Sequence, residues 1–295
     1  MSLPARYSTI QHQLAIGFEP LDALRGQRTA APTLIEVESP QNNPHAPNHG
    51  FNHLAQRSDV VPGVGRGEYG LHRMLFLKRY PTPNEVVVRL RDKGRRFVPR
   101  RFRVAVPARV AADAERRPLV SRRQAPLMFP GAAYDVGQRR SGLRGRVLRN
   151  GEPMRWAWID AFYLVNVGDD ANPNFLRSGR IGRAISDDRG EFLLVLNPLP
   201  PAVAGVPDLV DPLWVNVVVN GPSPAPGPAV AGDALWDLPL ENLPVAGQPD
   251  PAANPNYTPP GYAADIGVDG NRDIPFPIGR MLTGADVPDF ICSLP

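Results

Sequence analysis

Proline and glycine interrupt this chain along its whole length, and they exclude the helical fold classes. The 295 residues include 36 prolines and 27 glycines, whereas the two together make up about 12% of an average protein. Proline removes a helical backbone hydrogen bond and clashes with the preceding turn. The sequence therefore predicts a mainly β, turn-rich protein that is long enough to bury a substantial core.

Charge is divided unevenly between the two halves of the chain. Residues 1–141 carry 23 basic and 11 acidic side chains, and residues 142–295 carry 10 and 18. The single cysteine, Cys292, excludes an intrachain disulfide framework. No stretch approaches the roughly 18 apolar residues of a membrane helix, and the first residues lack the pattern of a signal peptide. We expect synthesis in the cytoplasm and no membrane insertion.

Composition divides the chain into four regions. Residues 1–70 contain seven prolines and few apolar residues, and we interpret them as an extended N-terminal arm that cannot offset its own ordering entropy. Deletion of residues 1–60 should then spare the fold. Residues 71–141 predict a β-hairpin region with a basic face, and residues 142–220 a β-sandwich. Residues 221–295 form a proline-rich acidic tail, irregular except for a short strand around residues 280–282.

The hairpin is predicted at residues 86–106, around the turn signal Asp92-Lys93-Gly94. Its second strand alternates apolar and basic side chains, and Pro99 favours an edge position or a bulge there. Its basic face is made of Arg89, Arg91, Lys93, Arg95, Arg96, Arg100, Arg101 and Arg103.

Clustered arginines can bind nucleic acid, but aromatic residues are sparse here and the total charge is only +4. We favour docking on an acidic protein surface. The alternatives are a solvated face and pairing with acidic residues of the chain's own tail or of a neighbour's.

Five segments have the spacing of strands in a β-sandwich, with no helical pattern between them. They are residues 143–148, 155–165, 180–186, 191–196 and 213–219. Residues 142–220 resemble the carboxypeptidase regulatory-like domain, a small transthyretin-like sandwich. The resemblance rests on the first strand, on the turn that begins at Asn150, and on the segment from Ser186 to Phe192, which fits a Ser-Asp-x-x-Gly-x-Phe pattern. It departs from the family at Trp156 and Trp158 and at an insertion over residues 198–211.

The resemblance implies a non-catalytic module. The residues expected to form its turns and core are Gly145, Gly151, Pro153, Asp187, Gly190 and Phe192. The whole chain also resembles, in its architecture, structural components of phage-tail-like contractile injection particles. We therefore expect a non-enzymatic structural protein that assembles with other protein subunits and is associated with a particle or virion. The alternative is a β-sandwich binding module, an adhesin or a carbohydrate- or protein-binding domain, in which the set Trp156, Trp158 and Trp214 includes an exposed platform.

Three other motifs have simpler explanations. The histidines at positions 45, 49 and 53 have helical zinc spacing, but neighbouring prolines exclude a helix. The glycine pattern at residues 65–70 lacks the following helix that a dinucleotide site needs. Asp269, Asn271 and Asp273, with Asp265 upstream, are weak calcium candidates because the sixth and twelfth positions do not fit a calcium loop. We predict no cofactor, and no pattern indicates an enzyme.

Overall fold

The computed structural model describes residues 14–29, 33–38, 51–53, 74–77, 85–105, 123–168, 172, 174–197, 212–222, 233–244, 248–254, 256–264 and 270–292. Strands dominate these residues, and their one helical element is a 3₁₀ turn at Pro251–Ala253. The predicted mainly β fold, with a sandwich and a hairpin, is confirmed. No helix in the described part of the chain is long and apolar enough to cross a membrane.

Twenty strands follow one another within the described ranges. They are β1 (Leu14–Phe18), β2 (Leu21–Asp22), β3 (Thr33–Glu38), β4 (Phe51–His53), β5 (Met74–Leu77), β6 (Glu85–Asp92), β7 (Arg100–Ala105), β8 (Arg123–Gln124), β9 (Leu127–Met128), β10 (Gly142–Arg149), β11 (Glu152–Pro153), β12 (Trp158–Asn166), β13 (Phe175–Ile185), β14 (Glu191–Val195), β15 (Leu213–Pro222), β16 (Leu240–Leu243), β17 (Tyr262–Ala264), β18 (Asn271–Phe276), β19 (Met281–Leu282) and β20 (Phe290–Cys292).

Two sheets face each other and form the β-sandwich. In the first, β10 pairs antiparallel with β11 and β14 and parallel with β19 and β20. In the second, β12 lies between β13 and β15, and β15 also pairs with β17 and β18. Alternate apolar side chains fill the space between the sheets, as a half-buried strand pattern predicts. Val147, Ile159, Val217 and Phe276 are all completely buried in this core.

The acidic tail contributes strands to both sheets of the sandwich. The sequence indicates one short strand around residues 280–282, whereas the structure has five strands, β16 to β20, after residue 221. Four of them have only two to four residues, so they carry almost no local strand signal. They are strands because β7, β10 and β15, formed by earlier residues, offer unpaired edges to them.

A further sheet has the strand order β16-β7-β6-β3-β4, and β6 and β7 form the predicted hairpin. Strand β7 lies between β6 and β16, so the edge position suggested by Pro99 is wrong. Pro99 instead precedes the first residue of β7, where its missing N–H breaks no ladder. This sheet packs through Val88, Phe102 and Val104 on the outward side of β14, where Leu193 is also completely buried.

The N-terminal strands belong to this second core. Ile16 and Phe18 of β1 and Ile35 of β3 are each at most 1% exposed. Strand β3 pairs antiparallel with β6 over five residue pairs. The structure argues against the expectation that residues 1–60 can be deleted without harm to the fold, because three of them fill the core beneath the hairpin.

A third core lies where the hairpin region, the sandwich and the tail meet. Trp156 and Trp158 are its largest members, each 1% exposed, and they pack with Val98, Phe129 and Leu238. The Trp158 ring makes an edge-to-face contact with Phe129, with 5.4 Å between the ring centres. The two tryptophans that depart from the family pattern thus fill the junction between regions.

Candidate functional site

The eight cations of the hairpin differ sharply in burial. Arg89 and Arg100 are buried, Arg91 and Arg101 are intermediate, and Lys93, Arg95, Arg96 and Arg103 are exposed. Six of the eight form ion pairs with carboxylates of this chain: Arg89, Arg91, Arg95, Arg96, Arg100 and Arg103. The alternative of pairing with the chain's own acidic tail describes two of the six, because among the described residues only Arg89 and Arg100 contact carboxylates after residue 221. The other four pair with carboxylates of the arm, the hairpin and the sandwich.

Arg100 is the centre of a buried charge cluster. Its Nε and Nη2 donate to the two carboxylate oxygens of Glu241, at 2.9 and 2.6 Å. Its Nη1 donates to Oδ2 of Asp250 and to the Leu127 carbonyl, both at 2.7 Å. Burial alone would lower the pKa of Arg100, but the charges of Asp250 and Glu241 outweigh burial and raise it. The guanidinium is therefore fully engaged inside the protein.

Arg89 joins the N-terminal strand, the hairpin and the tail in the same way. Its Nε donates to Oε2 of Glu36 at 2.7 Å, and its Nη1 lies 2.9 Å from Oδ1 of Asp233. Arg91 donates to the other oxygen of Glu36 at 2.9 Å. Glu36 is 1% exposed, so its charge is balanced by two arginines. The charge asymmetry between the halves of the chain is used here to hold distant segments together.

Within the hairpin, the turn presents a group of basic side chains to solvent. Lys93, Arg95 and Arg96 are exposed there. Arg95 pairs with Asp188 of the sandwich at 2.9 Å, and Arg96 with Asp92 at 3.3 Å. Exposed ion pairs of this kind contribute little to stability, so these side chains can exchange partners. The docking prediction for the basic face is thus reduced to this turn and Arg103.

The predicted turn and core residues of the sandwich lie in its first sheet and its turns. Gly145 is paired with Phe192, whose ring lies against it. Gly151 forms the two-residue turn between β10 and β11, and Pro153 ends β11. Oδ1 of Asp187 accepts hydrogen bonds from the N–H groups of Arg189 and Glu191, at 2.8 and 3.0 Å.

Gly190 completes that second turn with a φ of +73°. Together these residues shape the ends of β10 and β14, and their contacts support the sheet.

The weak metal candidates are engaged in a side-chain ladder. Oδ1 of Asn271 and Oδ1 of Asp273 both accept from the Asn216 amide nitrogen, at 2.7 and 2.6 Å. Asp269 and Asp265 lie outside the described residues, as do His45 and His49 and the glycine motif at 65–70. No group of three or more potential metal ligands occurs within the part of the chain that the structure describes.

Of the tryptophans proposed for a binding platform, only one is exposed. Trp156 and Trp158 lie in the third core, whereas Trp214 is 43% exposed. Its ring lies 6.4 Å from that of Phe175, measured between ring centres. Two of the three residues are therefore inaccessible to a ligand, which argues against the binding-module alternative in the form predicted.

Trp214 belongs to an exposed apolar cluster at one end of the second sheet. We call it the apolar tip and define it as Val167, Phe175, Leu176 and Trp214, which are 43 to 54% exposed. In the strand register, Asn166 of β12 lies opposite Phe175 of β13, and Tyr163 of β12 lies opposite Val215 of β15. The three strands therefore contribute side chains to the same end of the sheet. The Val167 N–H donates to the Asn174 carbonyl at 2.7 Å, which joins the strands there.

Sequence reasoning missed most of the apolar tip. It predicts a strand from residue 180, whereas β13 begins at Phe175. The adjacent apolar pair Phe175 and Leu176 is the available signal, because neighbouring residues of a strand face opposite sides of a sheet. One of the two therefore has to lie on the outer face.

No family model matches this chain, and no curated protein matches it. Among solved structures it is similar to the shaft pilin SpaA of Lactobacillus rhamnosus GG, with 11% identity and a TM-score of 0.23. That match covers 97% of this chain and all of the pilin chain. A mutant of the same pilin matches with 10% identity and a TM-score of 0.20, over 95% of this chain and all of the other. We draw no functional conclusion from likenesses at this level.

Proposed function

We propose that this chain is a non-enzymatic structural protein of a multi-subunit assembly, and that the apolar tip is one of its contact surfaces. The observation that carries the proposal is the exposure of the two tip rings, Phe175 and Trp214, which lie side by side on the second sheet. Aromatic side chains anchor protein interfaces more often than other residues. A contiguous exposed apolar patch on a folded domain marks an interaction site.

The interior of the protein supports this proposal. The strongest charge clusters, around Arg100 and Arg89, are occupied by partners from the same chain. They join the arm, the hairpin and the tail through buried contacts, so these charges are used inside the protein and leave the apolar tip as the exposed feature suited to a partner. The exposed basic turn at Lys93, Arg95 and Arg96 adds a second surface suited to acidic protein.

Two narrower proposals rest on the sequence resemblances alone. One is that the assembly is a phage-tail-like contractile injection particle, with the protein made in the cytoplasm and then carried on the particle. The other is that the sandwich is a carboxypeptidase regulatory-like module within it.

The test compares a tip variant with a matched surface variant in the native host lysate. Wild-type protein should sediment in a large complex with stoichiometric protein companions, identified by mass spectrometry. The double variant Phe175→Ser, Trp214→Ser should keep its thermal stability but leave that complex. Ile291→Ser is the control, because Ile291 is 46% exposed and lies in β20 on the other sheet. Recovery of the wild-type chain as a free monomer would overturn the proposal, as would full incorporation of the double variant.

A further inference from the structure

A cavity of about 310 Å³ lies where the sandwich edge meets the N-terminal turn and the 3₁₀ turn of the tail. Its walls include Leu24, Phe129, Leu193 and Val195. Arg180 and Arg183 of β13 also line it, and both point away from the sandwich core because they pair across from Phe162 and Asp160 of β12. Volumes of this size are typical of the smaller ligand sites in proteins.

The two arginines have unused hydrogen-bond donors. Nη1 of Arg180 and Nη1 of Arg183 are buried and have no hydrogen-bond partner among the described residues. The side chain of Arg183 is 6% exposed and that of Arg180 is 13% exposed. Buried charged donors without an acceptor are costly, so this pair indicates a missing acceptor.

Around Arg180, three arginines and three carboxylates balance in total charge, but the geometry leaves Arg180 without a close carboxylate of its own. Asp160 binds Arg183 through both oxygens, at 2.6 and 3.0 Å, and lies 3.5 Å from Nη1 of Arg180, which is too long for a good hydrogen bond. One carboxylate thus serves two guanidinium groups. The nearby carboxylates of Glu241 and Asp250 are held by Arg100.

Electrostatics at Arg180 agree with this geometry. Burial lowers the pKa of Arg180, and the charge of Arg183 lowers it further, against the opposing effect of Asp160. A bound anion would relieve both penalties, since it would replace lost solvation and offset the repulsion between the two arginines.

We propose that this cavity binds a small monocarboxylate with an apolar body, with its carboxylate on Arg180 and Arg183 and its ring or chain against Leu24, Phe129 and Leu193. A monoanion would accept from the unused donors of Arg180 and Arg183 and add a single charge to this balanced cluster, whereas a dianion such as phosphate would add two. Apolar walls suit a hydrocarbon body, because removing it from water is favourable. The site is independent of the apolar tip, so its test does not depend on the proposed assembly.

The test uses the full chain, titration calorimetry and benzoate as the probe. Benzoate should bind wild-type protein with a dissociation constant on the order of 1 mM or tighter, given its few heavy atoms. Arg180→Met should weaken binding at least tenfold. Arg177→Met, which removes the same charge from an exposed position of the same strand, should bind as wild type does. Benzamide, which has the same shape without the charge, should not bind.

A second readout keeps the test decisive if calorimetric signals are small. Benzoate should raise the melting temperature of the wild-type protein and of Arg177→Met but not of Arg180→Met or Arg180→Gln. Both Arg180 variants should fold, because they leave the Arg183–Asp160 pair intact. Equal binding to all variants, benzamide binding as tight as that of benzoate, or no response of the wild type at tens of millimolar would overturn the proposal.

Discussion

Arg100 and Asp250 are 150 positions apart in the sequence, yet Nη1 of Arg100 lies 2.7 Å from Oδ2 of Asp250 and both side chains are 1% exposed. Oδ1 of the same aspartate accepts from the Ala252 N–H at 2.8 Å and so caps the 3₁₀ turn. The pair ties strand β7 to the tail at a fixed position. Desolvation offsets much of its attraction, so we infer that its main contribution is to register between the two segments.

Removal of the Arg100 charge should be strongly destabilising. Arg100→Met leaves Glu241 and Asp250 buried without their cation, and loss of one partner from a buried pair costs about 3–5 kcal/mol. Urea unfolding should show this loss. Arg103→Met is the control on the same strand, because Arg103 and Glu85 are both about half exposed. The Arg103→Met variant should lose less than about 1 kcal/mol of unfolding free energy. Similar losses in the two variants would contradict the conclusion that the Arg100 charge is held in a buried pair.

The N-terminal strands should be required for folding. Phe18→Ala removes a ring that is 1% exposed and should cost about 3–5 kcal/mol by urea unfolding. Deletion of residues 1–38 should abolish the near-ultraviolet circular dichroism of the folded protein. Ile291→Ala, at a half-exposed position, should change stability by about 0.5 kcal/mol or less. A deletion variant that melts like the full chain would restore the picture of a dispensable arm.

Two glycines of the sandwich should respond differently to the same substitution. Both have positive φ, +82° at Gly151 and +73° at Gly190, and alanine there costs about 1–2 kcal/mol from backbone strain. A Cβ at Gly151 would meet nothing within 4 Å, whereas at Gly190 it would lie 2.6 Å from the Val147 carbonyl oxygen. Gly190→Ala should therefore lose a further 1–3 kcal/mol or so, and equal melting temperatures for the two variants would refute this difference.

Stability should fall at alkaline pH through Tyr257. Burial, aided by the charge of Glu241, raises the pKa of Tyr257 from about 10 to about 12. Above about pH 10 the unfolded chain loses this phenolic proton before the folded protein does. The free energy of unfolding therefore falls as the pH rises from about 10 through about 12. Tyr257→Phe should reduce that slope in urea unfolding measured between about pH 9 and pH 12. Identical slopes for the variant and the wild type would exclude this contribution.

Much of the sandwich could be predicted from local sequence because its strands carry local signals. Strands β10, β12 and β14 alternate apolar and polar residues or form apolar runs, and glycine-containing turns separate them. Of the tail strands, only β19 could be predicted, as the short strand around residues 280–282. Strand β20 could not be, since it becomes a strand only through parallel pairing with β10. That pairing depends on an edge supplied by distant residues.

The charge of the basic run is evident from the sequence, but which of its side chains are buried is not. Arg100 and Arg103 have the same residue type and lie on the same strand, but one is buried and the other is half exposed. Their partners decide the difference, because Glu241 and Asp250 enter from 141 and 150 positions away. No local pattern encodes such an encounter, and the Arg180–Arg183 cavity was missed for the same reason.

The parallel contact between β10 and β20 has a consequence for how the chain is made. Arg146 of β10 and Asp289 beside β20 form a hydrogen bond across 143 positions. After β10 has left the ribosome, all of the intervening chain must be synthesised before β20 can cover the second edge of β10. During that time β10 presents an open template to any other strand nearby. A long interval therefore separates the synthesis of β10 from the completion of its sheet. This topology requires that nascent chains be kept from pairing with one another during that interval.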